Sequence, residues 1–558
     1  MTNIIEAILF DMGGTLRGTR NRSREERLKY TGEILKLIGS NEETVKFSRL
    51  LSRRATAYRH WARETMIELN EADLWTRWML PEWPEQAIRI KAVKLNRLWR
   101  DATGERIVFP ETAEVVKALF RRGYRLGLVS NTTSSTEAPE ALDKLGLTGY
   151  FETMVLSAVV GKRKPDPAIL LSATTAMGIP PENCAYIGDI PNRDIAAARK
   201  AGFSKTVLIH NSSGRKKRPS SSDGLEPDHH ISNLKDLLEI FPSRTPPQPK
   251  CIFNASISSM WGMGNFHALS DFMEASRRIG FGRVELNHQV DSTMLKEITR
   301  GGLTFSSIHE PCPADISASE YKKRDWLISS TNEKYRLEGV KSIQRSIDLA
   351  SELGAGYIVV HAGNVHQDQF MEDQMRRLVN NGSRDSNEFE ELKSTLEKRR
   401  RDLAPSRFEA LITSLRELLE YAGRFGIALG LENRSHYLEM PIPDELGQLL
   451  KMGTPAQIGF IYDVGHAQAL SMLGFFPYDE WLRRFANRII GTHMHDVIGF
   501  QDHKIPGQGE VDFEQIRKFL PVDAIRTLEF QGPHTQDKVI NGLNYLKKDG
   551  CIQIMEVE

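Results

Sequence analysis

The run "IIGTHMHD" (Ile489–Asp496) passes in eight positions from β-branched apolar residues to two imidazoles and a carboxylate. It reads as a buried strand that carries its chemistry at its exit. The same kind of ending recurs through the second half of the chain. "SIHEP" (307–311) delivers His309, "VVHAG" (359–363) His361 and "GLEN" (430–433) Glu432. "YDVGH" (462–466) adds Asp463 and His466, and "LEFQG" (528–532) adds Glu529. With "KCIFNASI" and "RVELN" ahead of them, roughly eight strand-like runs alternate with helical segments over about 300 residues, the count expected of a (β/α)8 barrel.

A barrel gathers the carboxyl ends of its strands at one rim, so these six side chains and His493 of the opening run are expected to converge there. All are imidazole or carboxylate, the ligand types preferred by divalent transition metals. Crowded carboxylates repel one another, and a bound cation removes that repulsion. Glu285, near the end of "RVELN", is expected either to line the pocket and touch substrate hydroxyls or to pair with a neighbouring base. His495 alternates with His493 and is expected to face the barrel wall or a helix, with Asp496 orienting His493. A charged helical insertion, about Val365 to Pro405, is expected as a lid near the fourth strand.

The first half has a different rhythm. "AILFDMGG" (7–14), "RLGLVSNT" (125–132), "CAYIGDI" (184–190) and "KTVLIH" (205–210) alternate with amphipathic helices such as "ETAEVVKALFRRG" (111–123), the signature of a parallel α/β sheet. Residues 21–103 break the alternation with helical periodicity alone and read as an inserted cap. Asp11 closes the first strand, Ser130 and Asn131 close the second, Lys164 sits in "GKRKPDPAIL" and Asp189 and Asp194 in "YIGDIPNRD". That set suits phosphoryl transfer through an aspartyl-phosphate. Asp11 is expected to attack phosphorus and to share Mg²⁺ with Asp189 and Asp194. Lys164, Ser130 and Asn131 are expected to hold the phosphoryl oxygens.

The ordered set resembles the haloacid dehalogenase superfamily over about Met1 to Phe241. The family's phosphatases usually place a second Asp two residues after the nucleophile, as general acid, and here that place is Gly13. Either the domain works on substrates with good leaving groups, or it is inactive and structural. The second half, about Lys250 to Gly550, resembles the xylose-isomerase-like barrels, which include sugar isomerases and epimerases, inosose dehydratase and endonuclease IV. This resemblance implies Glu432, Asp463, His493 and Glu529 as a metal-binding core for Mn²⁺ or Zn²⁺. It matches His309, His361, His466 and His503 to further zinc ligands of the endonuclease branch. That branch has an Asp two residues before its last histidine, where Gln501 stands here, with Asp502 beside it. In the isomerase branch, His466 and Arg434 would orient substrate hydroxyls or a phosphate.

The expected organisation is thus a hydrolase-like domain over 1–241, a proline-rich linker over 242–249 and a barrel over 250–558. At 558 residues, 40% hydrophobic and 26% charged, the composition is that of a globular protein with more than one core. A formal charge of +1 gives no global attraction to nucleic acid or anionic lipid. The four cysteines are scattered and read as free thiols, and no stretch reaches membrane-spanning length, so a cytoplasmic location is expected. "GRKKR" (214–218), His229 and His230 read as solvated surface. The preferred function is a bifunctional enzyme of small phosphorylated sugars or polyols, a phosphatase joined to an isomerase or epimerase and open to homo-oligomerisation. The rival is an endonuclease IV-like zinc phosphodiesterase.

Overall fold

The computed structural model describes residues 4–210, 226–249, 251–298 and 302–555, so the "GRKKR" run lies outside the described residues. The chain divides into two compact units, Met1–Pro247 with Thr535–Asp537, and Gln248–His534 with Lys538–Glu558. Among the described residues no helix is long and apolar enough to cross a membrane.

The first unit is built on a parallel sheet of strands β1 (Ala7–Phe10), β2 (Arg125–Ser130), β3 (Phe151–Leu156), β4 (Cys184–Gly188), β5 (Lys205–Ile209) and β6 (His229–Ile231), in the order β3-β2-β1-β4-β5-β6. The central strand β1 is wholly buried, as its unbroken apolar sequence requires. Phe10 aligns with Leu128 on one side and Ile187 on the other, so Asp11, Ser130 and Asp189 leave the sheet at one edge. Strand β3 was not legible, because Glu152 and Thr153 interrupt its apolar run.

The helical block consists of α1 (Arg24–Ile38), α2 (Thr44–Thr65), a short turn of helix and a π-turn, and α3 (Glu85–Thr103). Ser23 and Glu26 form a capping box at the start of α1, and Gly39 ends it in the left-handed conformation. Phe47, Leu51, Trp75 and Leu95 fill the block's own core. It joins the sheet domain through an antiparallel ribbon, Arg17–Arg20 against Glu105–Val108. The proline-rich segment expected as a linker over 242–249 is anchored in part within the first unit: Arg244 donates its backbone N–H to the Arg122 carbonyl and its guanidinium to the Ile5 carbonyl, and Tyr124 bonds the Pro242 carbonyl.

The second unit is a closed barrel of eight parallel strands: β7 (Ile252–Ser258), β8 (Phe281–Leu286), β9 (Thr304–His309), β10 (Tyr357–Val360), β11 (Ala428–Glu432), β12 (Ile458–Asp463), β13 (Ile489–Met494) and β14 (Ile525–Leu528). Closure comes from β14 pairing back onto β7. Tyr357 fills the interior below the rim, where a Cβ at Gly491 would lie 2.5 Å from its hydroxyl; the glycine admits the ring. The insertion after β10 is helical, with α4 (Phe370–Asn380) and α5 (Asn387–Gly423), but it does not stop at Pro405. Helix α5 runs through that proline because its buried face, Leu396 and Arg400 before and Leu411 and Leu415 after, continues on both sides, and tertiary packing offsets the one lost hydrogen bond.

Candidate active sites

At the carboxyl edge of the first sheet, Lys164 is completely buried and donates from Nζ to Asp11 Oδ1 (2.8 Å), the Tyr186 hydroxyl (2.6 Å) and the Val129 carbonyl (3.0 Å). Its Nζ is also 2.8 Å from Asp194 Oδ1. Oxygens of Asp11, Asp189 and Asp194 approach closely enough to share one cation. A side chain not foreseen in the sequence lies among them: Arg193 Nη2 is 2.9 Å from Asp11, 3.0 Å from Asp189 and 2.8 Å from Asp194. Burial drives the Asp194 carboxyl up, but Arg193 and Lys164 overcome it and hold Asp194 below the ordinary range. Gly14, at φ +91°, is required here, since a Cβ would fall 1.9 Å from Asp189 Oδ2.

Ser130 is buried at the end of β2, one residue beyond the Val129 carbonyl that Lys164 bonds. The Asn131 amide, expected on substrate, is instead spent on the chain: Nδ2 donates to the Lys164 carbonyl and Oδ1 accepts the Lys164 N–H, both at 2.9 Å. With both of its hydrogen-bonding ends engaged, Asn131 positions the lysine.

At the barrel rim, the register aligns Asp463 with His493, and Glu529 follows the last residue of β14. His493 Nδ1 is 2.7 Å from Glu432, 3.3 Å from Glu529 and 3.5 Å from Asp463, while its Nε2 lies 3.2 Å from Glu285. One imidazole therefore stands at the centre of four buried carboxylates. Burial would lower its pKa, yet Glu529 and Glu285 raise it well above the ordinary histidine value. His309 and His361 face each other at 2.8 Å between Nε2 atoms, and His361 Nε2 lies 3.1 Å from Glu432. His503 reaches Glu529 at 3.5 Å and Asp502 at 2.9 Å.

These donors form four overlapping groups with metal-binding spacing: Glu285, His309, His493 and Glu529; Glu432, Asp463 and His493; His309, His361 and Glu432; and His495, His503 and Glu529. Buried atoms that no well-aligned hydrogen bond satisfies point into the same space, among them Glu285 Oε1, His309 Nδ1 and Asp463 Oδ2. Buried polar atoms are normally paired, so unmatched acceptors beside surplus carboxylate charge fit divalent cations. The Asp11 cluster fits one too, its three acids facing only two cations.

Two family models match the chain, haloacid dehalogenase-like hydrolase over residues 5–202 and xylose isomerase-like TIM barrel over residues 272–548. The chain is a fusion of a haloacid dehalogenase-like hydrolase domain with a xylose isomerase-like barrel. The hydrolase domain is 30% identical to glyceraldehyde 3-phosphate phosphatase of Methanopyrus kandleri, over 24% of this chain and 55% of that protein. It is 31% identical to phosphoglycolate phosphatase of Escherichia coli strain K12, over 28% of this chain and 59% of that protein. The chain thus spans little more than half the length of these curated relatives. Among solved structures, similarity extends to a HAD phosphatase from Thermococcus onnurineus (21% identity, TM-score 0.30, 43% of this chain and 99% of that one). It also extends to a D-tagatose 3-epimerase-like protein (19% identity, TM-score 0.36, 53% of this chain and 96% of that one).

In the xylose isomerase-like barrel, two expectations change. His495 takes one of its two expected directions and faces a helix: its Nε2 accepts the N–H of Gly465, in the first turn of the helix Val464–Met472, at 3.0 Å and lies 3.3 Å from Asp463. Asp496 does not reach His493 but accepts backbone N–H groups from Val497, Gly507, Gly509 and Val511, fastening the loop that bears His503. His466 and Arg434 are tied to the carboxylates themselves: His466 Nδ1 contacts the Asn433 carbonyl at 2.8 Å and Asp463 at 3.6 Å, and Arg434 is ion-paired with Glu432. The sequence reading also missed His288, one residue beyond "VELN", whose ring lies 5.1 Å from that of His309. It missed Glu310 as well, which burial pushes up to about 7.

Proposed function

We propose that the chain is a bifunctional enzyme acting on small phosphorylated metabolites. The hydrolase domain cleaves a phosphate monoester, and the barrel isomerises or epimerises a sugar, sugar phosphate or polyol. The observation that carries the barrel half is the His493 imidazole encircled by Glu432, Asp463, Glu529 and Glu285 at the rim of a closed barrel. The names of the curated relatives support small phosphorylated substrates for the other half.

In the hydrolase domain an Asp11 oxygen attacks phosphorus, the bond to the alkoxide oxygen breaks, and water then hydrolyses the aspartyl-phosphate. Mg²⁺ held by Asp11, Asp189 and Asp194 would supply charge neutralisation for the phosphoryl oxygens. Lys164 donates toward the same oxygens from a rigid position fixed by Tyr186, Val129 and Asn131. With glycine at position 13, no side chain there protonates the departing alkoxide.

In the barrel, Mn²⁺ or Zn²⁺ bound by Glu432, Asp463, His493 and Glu529 would polarise a substrate carbonyl. Glu529 and Glu432 remove and return a proton on the neighbouring carbon. Arg434 keeps Glu432 ionised, and buried Glu310 has a pKa that lets it hold a proton near neutrality. Incubating the chain with Mn²⁺ and candidate ketoses in D₂O tests this: deuterium should enter the carbon beside the carbonyl, and Glu529→Gln should stop it. Failure to exchange any ketose or polyol-derived ketone would overturn the isomerase reading.

A second reading, phosphodiester hydrolysis by a zinc cluster, is favoured by the additional groups His309–His361–Glu432 and His495–His503–Glu529. Two or three zinc ions per chain together with nicking of abasic DNA would establish it over the first.

A further inference from the structure

Glu432 is buried at the barrel rim, and its two oxygens face different neighbours. Oε1 lies 2.7 Å from His493 Nδ1, the atom around which Asp463 and Glu529 also gather. Oε2 accepts from the Arg434 guanidinium and lies 3.1 Å from His361 Nε2. A carboxylate oxygen offers two lone-pair directions, so both directions of Oε2 are taken. His361 could yield its place to a cation and bind that cation through the same nitrogen. Arg434 cannot, because a guanidinium stays charged and has no lone pair to give.

Arg434 is also fixed from behind. Its Nε lies 3.5 Å from Glu439 Oε2, and Glu439 Oε1 is ion-paired with Lys322, so Lys322, Glu439, Arg434 and Glu432 form a row of alternating charge. The backbone around Glu439 is tied to the segment that follows His361: Val365 donates to the Leu438 carbonyl at 2.7 Å and Met440 to the Gly363 carbonyl at 3.0 Å. Arg400 Nη1 holds the Glu439 carbonyl at 2.9 Å. The guanidinium and His361 are thus carried by one bonded frame, and both meet Oε2. A divalent ion among His309, His361 and Glu432 would stand against the guanidinium with one carboxylate between them, whereas an ion beside His493 meets four.

We propose that Arg434 takes the place of a second metal ion at the rim: by holding Glu432 Oε2 it closes the group of His309, His361 and Glu432 to divalent cations and leaves the ion to the His493 side. The inference rests on the barrel binding metal, and it deepens that reading by assigning the number of ions around Glu432 to one side chain. One ion suffices to polarise a carbonyl, while displacement at phosphorus by paired ions needs an adjacent second. Arg434 therefore removes one of the two groups that favour the zinc phosphodiesterase. The His503-centred group is untouched by it.

The test counts zinc on the full chain by elemental analysis, after equilibration with Zn²⁺ and removal of the free metal. Arg434→Gln should bind one more ion per chain than the parent, and Arg434→Lys, which keeps the charge, should bind as many as the parent. Adding His361→Ala to Arg434→Gln should remove the extra ion. In the parent background His361→Ala alone should leave the count unchanged, a measurement that stands even where an Arg434 variant fails to fold. No extra ion on folded Arg434→Gln, or an ion lost from the parent with His361→Ala, overturns the inference. Asp463→Ala tells the two failures apart. If it costs the parent one zinc, the barrel binds metal and only the role of Arg434 falls; if it costs none, the metal-binding reading falls and takes the inference with it.

Discussion

Arg193 lies 2.9 Å from Asp11, with its guanidinium in the space that the three acids of the hydrolase domain present to a cation. It neutralises them, and a bound Mg²⁺ has to displace it or share them with it. Arg193→Ala should therefore tighten Mg²⁺ binding at least five-fold by calorimetry, while the metal-free protein loses about 3 kcal/mol, the scale expected when a buried charge loses its partner. Saturating Mg²⁺ should restore the lost melting temperature. Weaker or unchanged Mg²⁺ binding in the variant would mean that Arg193 helps to assemble the site.

Gly13 occupies the position where related phosphatases carry a general acid, and a Cβ built there meets nothing within 4 Å. A side chain is absent although there is room for one. Gly13→Asp should raise kcat, and the gain should depend on the leaving group. General acid catalysis contributes about 10²–10⁴ where the alkoxide is poor, and little where p-nitrophenolate departs unaided. Comparing an alkyl phosphate with p-nitrophenyl phosphate reads this difference. If the variant and the parent are both inert toward both esters, the domain is a scaffold.

Among the described residues, Glu137 is the one carboxylate ion-paired with Arg17, Arg100 and Arg106. Burial pushes its pKa up, but the three arginines together hold it below its ordinary value. A depressed folded-state pKa gives stability that is present above the unfolded value, about 4.5, and is lost as pH falls through the folded one. Glu137→Gln should cost about 2–3 kcal/mol at pH 7, less than a fully buried pair because part of the carboxylate meets solvent. Denaturant titrations at pH 7 and pH 3 should show the variant and parent converging at the lower pH. A constant difference across that range would assign the loss to packing.

The barrel was legible because each strand announces itself twice, by a β-branched run and by a polar group at its end; "YIVVHAG" and "IGFIYDV" need no tertiary information to be read. Local alternation could not reach past the strand ends. It could not see that Asp496 binds four backbone N–H groups of a loop folding back on itself. Arg193 was hidden for a related reason: it adjoins Asp194 in sequence, and only the π-turn over Pro191–Ile195 sends it back across Asp11. The passage through Pro405 was decided by burial on the far side of the helix, a property of the assembled unit that no window around the proline contains.

The loop fastened by Asp496 supplies the last test, because it separates the His493-centred group from the His503-centred one. Asp496 accepts the N–H groups of Val497, Gly507, Gly509 and Val511 at 2.8–3.1 Å, and His503 lies on the segment so held. Asp496→Asn replaces one accepting oxygen with an NH₂ that faces N–H donors, leaving them unsatisfied at about 1–3 kcal/mol each. The loop should loosen while β11, β12 and β13, which carry Glu432, Asp463 and His493, stay in register. Hydrogen exchange should therefore quicken over 497–511 and not over the barrel strands. If the rim holds more than one metal, elemental analysis should find the variant short of one ion yet still loaded at His493. Loss of every ion from Asp496→Asn would mean that the rim binds its metals as a single cooperative cluster, and that result would shift the balance toward the zinc phosphodiesterase.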